Sequence, residues 1–129
     1  MKLKKLGGVI AGSAIAAALC LSSSAQFAKT LKLADGQFKD VKNDAWYASE
    51  VKNAYELGFM NGSGANTFSP DGTMTVAEGI TIASRVNAIN SSKTIPEKSG
   101  AKWYDMYIDY AKSAGIIKDG DFNSYDRNI

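Results

Sequence analysis

Two matching segments constrain what this chain can fold into. Trp46-Tyr47 followed by Val51, Ala54 and Gly58 recurs as Trp103-Tyr104 followed by Ile108, Ala111 and Gly115, at a constant offset of 57. Phe59/Ile116 and Met60/Ile117 extend the match as apolar pairs, after which a gap is needed to set Phe68 opposite Phe122. A repeat longer than ~50 residues points to a stacked array of supersecondary units. A unit of this kind rarely buries its apolar face alone, so its neighbours must supply the rest of the core.

Local signals define the unit. Asn43 or Asp44 is placed to cap a helix whose inner face is Trp46, Val51, Ala54 and Tyr55, and Gly58 stops it. The loop from Phe59 to Met74 contains Gly62, Gly64 and the turn sequence Ser69-Pro70-Asp71-Gly72. Thr75-Val76-Ala77-Glu78 then reads as a capping box, in which the Thr75 hydroxyl accepts from the Glu78 amide while the Glu78 carboxylate reaches back to the Thr75 amide. It opens a second helix running to about Asn90, with Ile80, Ile82, Ala83, Val86 and Ile89 as its apolar face. Residues 91–100, with Ser91, Ser92, Pro96 and Gly100, link the units. The second unit starts its helix near Trp103 and ends it at Gly115. Strand signals are weak throughout, so the expected class is mainly all-α: helix, glycine-rich loop, helix, repeated.

The N-terminus is of another kind. Met1–Lys5 is cationic, Leu6–Leu21 apolar and Ser22–Ala28 small and polar, the layout of an export signal, with cleavage expected after Ala25 and Ala28 as the second choice. Its 16-residue apolar run falls short of the ~20 needed for a bilayer span. Cys20, preceded by Leu19, does not suit lipidation. The expected division is a signal over 1–25, a hinge over 26–37, a first unit over 38–90, a linker over 91–100 and an incomplete second unit over 101–129. With Lys2, Lys4 and Lys5 set aside, twelve basic residues face thirteen acidic ones and form no stripe, which argues against nucleic acid as a partner. The chain has no His, and its one Cys lies in the signal. Imidazole acid–base catalysis, thiol nucleophiles, zinc sites and disulfides are thereby excluded from the rest, and no cofactor or metal is expected. Asp119-Gly120-Asp121-Phe122-Asn123 begins like a calcium loop but has Ser124 where Gly belongs and Asp126 where an apolar residue belongs.

Taken in order, Phe38-Lys39-Asp40-Val41, Trp46-Tyr47, Ala54, Gly58, Gly62, Phe68-Ser69-Pro70, Thr75-Val76-Ala77-Glu78 and Arg85 resemble the S-layer homology domain of bacterial surface proteins. The second unit follows the same pattern from Trp103 through Phe122 to Tyr125-Asp126-Arg127. The resemblance implies a pseudo-threefold helical bundle built from three such units. Grooves between neighbouring units bind secondary cell-wall polysaccharide through a pyruvylated amino sugar. The implied role is non-catalytic: anchoring an exported protein at the cell wall and surface, with no membrane contact once the signal is removed. The implied ligand-binding positions are Asp40, Trp46, Gly62, Gly72, Thr75, Val76, Glu78, Arg85 and Trp103. For an anionic sugar, helix N-termini offer amides, Arg a fork of donors, Trp a flat face and glycines close backbone approach.

Each position also has a plainer reading. Trp46 and Trp103 can be core anchors, Asp40 a turn cap, Thr75 and Glu78 a helix cap, and Arg85 a surface ion-pair partner. The chain departs from the family pattern where Val76 replaces the usual Arg; restoring it by Val76→Arg is expected to raise affinity if only the missing cation disables that groove. The pattern also implies a continuation past Ile129 with Thr-Arg and then a third unit or a partner chain. Two rival functions stand beside anchoring: self-assembly of repeats without glycan binding, and a small carbohydrate hydrolase using two carboxylates.

Overall fold

A computed structural model of the chain describes residues 27–97 and 100–129, so the expected export signal lies outside the described residues. Three helices follow one another, α1 over Ala48–Glu56, α2 over Val76–Asn90 and α3 over Asp105–Ser113, and among the described residues there is no strand. None of these helices is long and apolar enough to cross a membrane. The class is mainly all-α, as expected.

The repeat is repeated in geometry. Gly58 and Gly115 both adopt positive φ, +76° and +72°, where a side chain is disfavoured. The amides that follow turn back onto the helix in the same way: Phe59 donates to the Ala54 carbonyl at 2.9 Å, and Ile116 to that of Ala111 at 2.8 Å. Trp46 stands edge-on to Tyr47 at 5.5 Å and 81°, and Trp103 to Tyr104 at 5.4 Å and 82°.

The helix starts differ from expectation. Neither Asn43 nor Asp44 caps α1; Tyr47 is the N-cap, in helical conformation and with no side-chain bond. The chain instead winds into α1 through successive turns, Ala45 N–H to Lys42 O and Ala48 N–H to Ala45 O, both 3.0 Å. This approach turns the indole outward. Trp46 is 88% exposed and Trp103 60%, so neither is a core anchor. Tyr47 and Tyr104, the residues after them, take the inward direction.

At the opposite end of α1, residues 29–31 lie against the helix. The Thr30 and Leu31 amides donate to the Glu56 carbonyl at 2.9 and 3.1 Å, and Lys29 Nζ pairs with the buried Glu56 carboxylate at 2.9 Å. Residues 29–31 are therefore tied to the end of α1.

The core lies between units. Val76, Ala77 and Ile80 of α2 pack with Tyr104, Ile108, Ala111 and Ile117 of the second unit, flanked by Ile116, Phe122 and Tyr125. The buried stripe of α2 is Val76, Ala77, Ile80, Thr81, Ser84 and Ala88; of the expected face only Ile80 belongs to it. Ala83 and Ile89 are exposed, and Ile82 and Val86 half-buried. Small residues are needed there because α3 comes close: Ala111 and Ser84 have no exposed surface, and the Ser84 hydroxyl donates to the Tyr107 carbonyl at 3.1 Å. Thr81 hides its hydroxyl by donating to the Ala77 carbonyl at 2.8 Å. Tyr110 adds a bond to Asn87 Oδ1 at 2.9 Å.

Val76 is 3% exposed within this core, which overturns the expectation that Val76→Arg would equip a groove. A guanidinium there would be buried among apolar side chains without a counter-charge. In chemical denaturation, Ile80→Ala should cost about 3 kcal/mol through the cavity it leaves. Val76→Arg should cost at least as much; a Val76→Arg chain of unchanged stability would contradict this packing.

Candidate functional site

A cleft of about 700 Å³ opens between the first unit and the head of the second. Met60–Ser63, Phe68, Ser69 and Gly72–Met74 line one side, the α2 residues Glu78, Thr81, Ile82 and Arg85 form its floor, and Trp103 stands at its edge. The α2 set follows i, i+3, i+4, i+7 spacing, so the helix turns one stripe to α3 and another to the cleft.

The loop side is built on Asp40. Its carboxylate accepts from the Phe68 amide at 2.9 and 3.1 Å and from the Ser69 amide at 2.7 Å. Those two amides hold the Asp40 carboxyl below its ordinary value of 3.8. Ser69 is thereby kept at φ +59°, an unfavourable setting for a residue with a side chain, and its hydroxyl meets that of Ser63 at 2.6 Å. Phe38, 3% exposed, fills the space behind, with Tyr55 at 5.6 Å and Phe68 at 5.4 Å between ring centres. Gly62 is required by this packing: at φ +89°, a Cβ would stand 2.6 Å from the Thr67 carbonyl oxygen and 2.7 Å from the Phe38 ring. Gly72 closes the turn, its amide donating to the Ser69 carbonyl at 2.9 Å.

The capping box at α2 forms as read. Glu78 Oε2 accepts from the Thr75 amide at 2.7 Å and the Thr75 hydroxyl at 2.9 Å, while the Glu78 amide donates to Thr75 Oγ1 at 3.2 Å. The remaining first-turn amides are also taken, Val76 by the Arg127 carbonyl at 2.9 Å and Ala77 by that of Tyr125 at 2.8 Å. The expectation of open helix amides for an anion fails here, since the second unit's last segment already occupies them. Asp126 in that segment is held by Lys102 Nζ at 2.8 Å and the Tyr104 hydroxyl at 3.1 Å; both bonds lower its carboxyl's pKa, the one from Lys102 most.

Among the described residues, Arg85 is the single cation lining the cleft. It donates to the Tyr107 hydroxyl at 2.9 Å and lies over the Tyr107 ring at 5.1 Å. No ion pair to it occurs among the described residues, so the ion-pair reading of Arg85 gives way to a cation propped on an aromatic face.

Of the expected site residues, Gly62, Gly72, Glu78, Arg85 and Trp103 meet at this cleft, whereas Asp40, Trp46, Thr75 and Val76 do not line it. Asp40 acts behind the loop, Thr75 in the cap and Val76 in the core, and Trp46 projects elsewhere. Sequence reading missed the hydroxyls of Ser63 and Ser69 and the apolar Met60, Met74 and Ile82. The Glu78–Arg85 helical spacing was the available signal for Ile82.

Asp40→Ala should lower the thermal midpoint near neutral pH by releasing the Phe68 and Ser69 amides. A carboxyl with a lowered folded value stabilises fully above 3.8 and loses that contribution as pH falls through the lower folded value. The deficit of Asp40→Ala should therefore shrink in acid below 3.8. A deficit independent of pH, followed by circular dichroism, would contradict the assignment.

Comparison with known proteins bears on this region. Residues 37–78 match the family model of the S-layer homology domain. The chain is 30% identical over 93 residues to a surface-layer 125 kDa protein of Lysinibacillus sphaericus, covering 69% of this chain and 8% of that one. It is 35% identical over 81 residues to an endoglucanase of a Bacillus species, covering 62% of this chain and 9% of the enzyme. It is 32% identical over 92 residues to an exoglucanase of Acetivibrio thermocellus, covering 64% and 8%. The chain thus spans under a tenth of the length of these relatives. No solved structure matches it.

Proposed function

Because residues 37–78 carry an S-layer homology domain, we propose that this chain is a non-catalytic anchoring module of an exported surface protein. Its cleft takes up secondary cell-wall polysaccharide, with an anionic substituent such as a pyruvyl carboxylate directed to Arg85. The observation that carries this reading is the composition of the inter-unit cleft. It sets a cation without an ion-pair partner among the described residues beside an exposed indole, with apolar Met60, Met74 and Ile82 and the hydroxyls of Ser63 and Ser69 in the same lining. Guanidinium forks match carboxylates, and a flat indole suits a sugar ring face. The relatives support an anchoring role, since a surface-layer protein and two glucanases of different kinds share this segment while it makes up under a tenth of each.

Catalysis is a poorer use of the site. Among the described residues, Glu78 is the only acidic one lining the cleft, and its Oε2 is committed to the cap. A two-carboxylate hydrolysis finds no second group there among the described residues.

The reading also includes a further unit. Tyr104, the N-cap of α3, and Ala111 within it are 4% and 0% exposed against α2, whereas their counterparts at α1, the N-cap Tyr47 and Ala54, are only half-buried. A second helix from another unit, in a longer chain or a partner, would cover α1 as α2 covers α3.

The test is co-sedimentation of residues 26–129 with bacterial walls, intact and stripped of secondary polysaccharide. The chain should pellet only with intact walls. Arg85→Gln and Trp103→Ala should each weaken binding about tenfold, a loss of about 1.4 kcal/mol; Trp46→Ala should change it little. Equal pelleting with both wall samples, or full binding by Arg85→Gln, would refute the proposal.

A further inference from the structure

The cleft wall carries a residue pair whose chemistry anchoring does not use, Asn61-Gly62. Among the asparagines of the chain, Asn61 alone precedes a glycine. It is exposed, outside any helix and part of the cleft lining. Among the described residues, neither its side-chain amide nor the Gly62 N–H has a hydrogen-bond partner. The fold itself demands the glycine, because Phe38 and the Thr67 carbonyl leave no space for a Cβ at 62. No side chain at that position can shield the Asn61 carboxamide from the following backbone nitrogen.

We infer that Asn61-Gly62 is a site of spontaneous deamidation that places a new negative charge on the cleft wall. The Gly62 nitrogen attacks Cγ of Asn61. An N–Cγ bond forms, the Cγ–Nδ2 bond breaks, and the departing nitrogen takes up the Gly62 amide proton and leaves as ammonia. Solvent water then opens the cyclic imide at either carbonyl, giving aspartate or isoaspartate at 61. No oxidant or reductant takes part. The new carboxylate joins Glu78 in a cleft whose one lining cation among the described residues is Arg85, so it opposes an anionic ligand. The isoaspartate form also inserts a methylene into the backbone beside the Phe38 contact. The effect on binding rests on the proposed anionic ligand; the modification does not.

The experiment ages residues 26–129 at neutral and mildly alkaline pH, then maps peptides by mass spectrometry with enzymatic detection of isoaspartate. Fragmentation that resolves the sites should show Asn61 converting several-fold faster than Asn66, which shares its peptide, and than Asn123, and faster at the higher pH. Asn61→Gln should suppress the early acidic form. An intact Asn61, or conversion no faster than at Asn66 and Asn123, overturns the inference. For the consequence, Asn61→Asp should pellet with intact walls several-fold less than the unaged parent. Equal pelleting overturns the charge effect, whereas a parent that never pellets overturns the anchoring reading and leaves the peptide map to decide the modification.

Discussion

The first turn of α2 is where the two units become one structure. A helix start presents amides with no partner inside the helix, and leaving such groups buried and unpaired is costly. Here the acceptors come from both units: the Thr75 hydroxyl for Glu78, and the Arg127 and Tyr125 carbonyls for Val76 and Ala77. Ile129 returns the pairing by donating to the Met74 carbonyl at 2.9 Å. Lys102 and Tyr104 hold Asp126 in this segment, and Tyr104 also belongs to the core against α2. Covering the helix start and covering the helix face therefore depend on the same second-unit residues.

The cleft follows from that arrangement. Its floor belongs to α2, its loop side to the first unit and its edge to the second through Trp103. Arg85 is aimed across this space because Tyr107 of α3 supports it from behind. A first unit folded by itself would lack the aromatic prop, the indole and the acceptors for its own helix start. On the proposed reading, binding is a property of neighbouring units, and the cation comes from the body of α2 rather than from position 76.

Much of the fold was legible in local chemistry. The capping box at Thr75–Glu78, the glycines at 58 and 115 and the span of α2 depend on bonds within a few residues, and each formed as read. Beyond Ile80, the inner face of α2 was not legible, because hydrophobic size marks a buried stripe only where the neighbour stands at ordinary distance. Close approach of α3 selected Ala77, Ser84 and Ala88 instead and left Ile89 exposed. Trp46 and Trp103 misled for a related reason: a large apolar residue at a helix start reads as core, yet the turns leading into each helix direct the indole outward and the next tyrosine inward. At the site, Arg85 and Trp103 were legible by family resemblance, while Ser63 and Ser69 were not. Their placement depends on a carboxylate at Asp40, nearly thirty residues away in sequence.

The two tryptophans allow a direct test of where a ligand sits. In Trp46→Phe, Trp103 is the sole indole; in Trp103→Phe, Trp46 is. Each chain would be titrated with purified secondary wall polysaccharide while emission and its quenching by iodide are followed. The account predicts that Trp103 shifts and becomes protected while Trp46 stays unchanged. A response confined to Trp46, with Trp103 still open to quencher at saturating polysaccharide, would contradict the inter-unit cleft as the binding site.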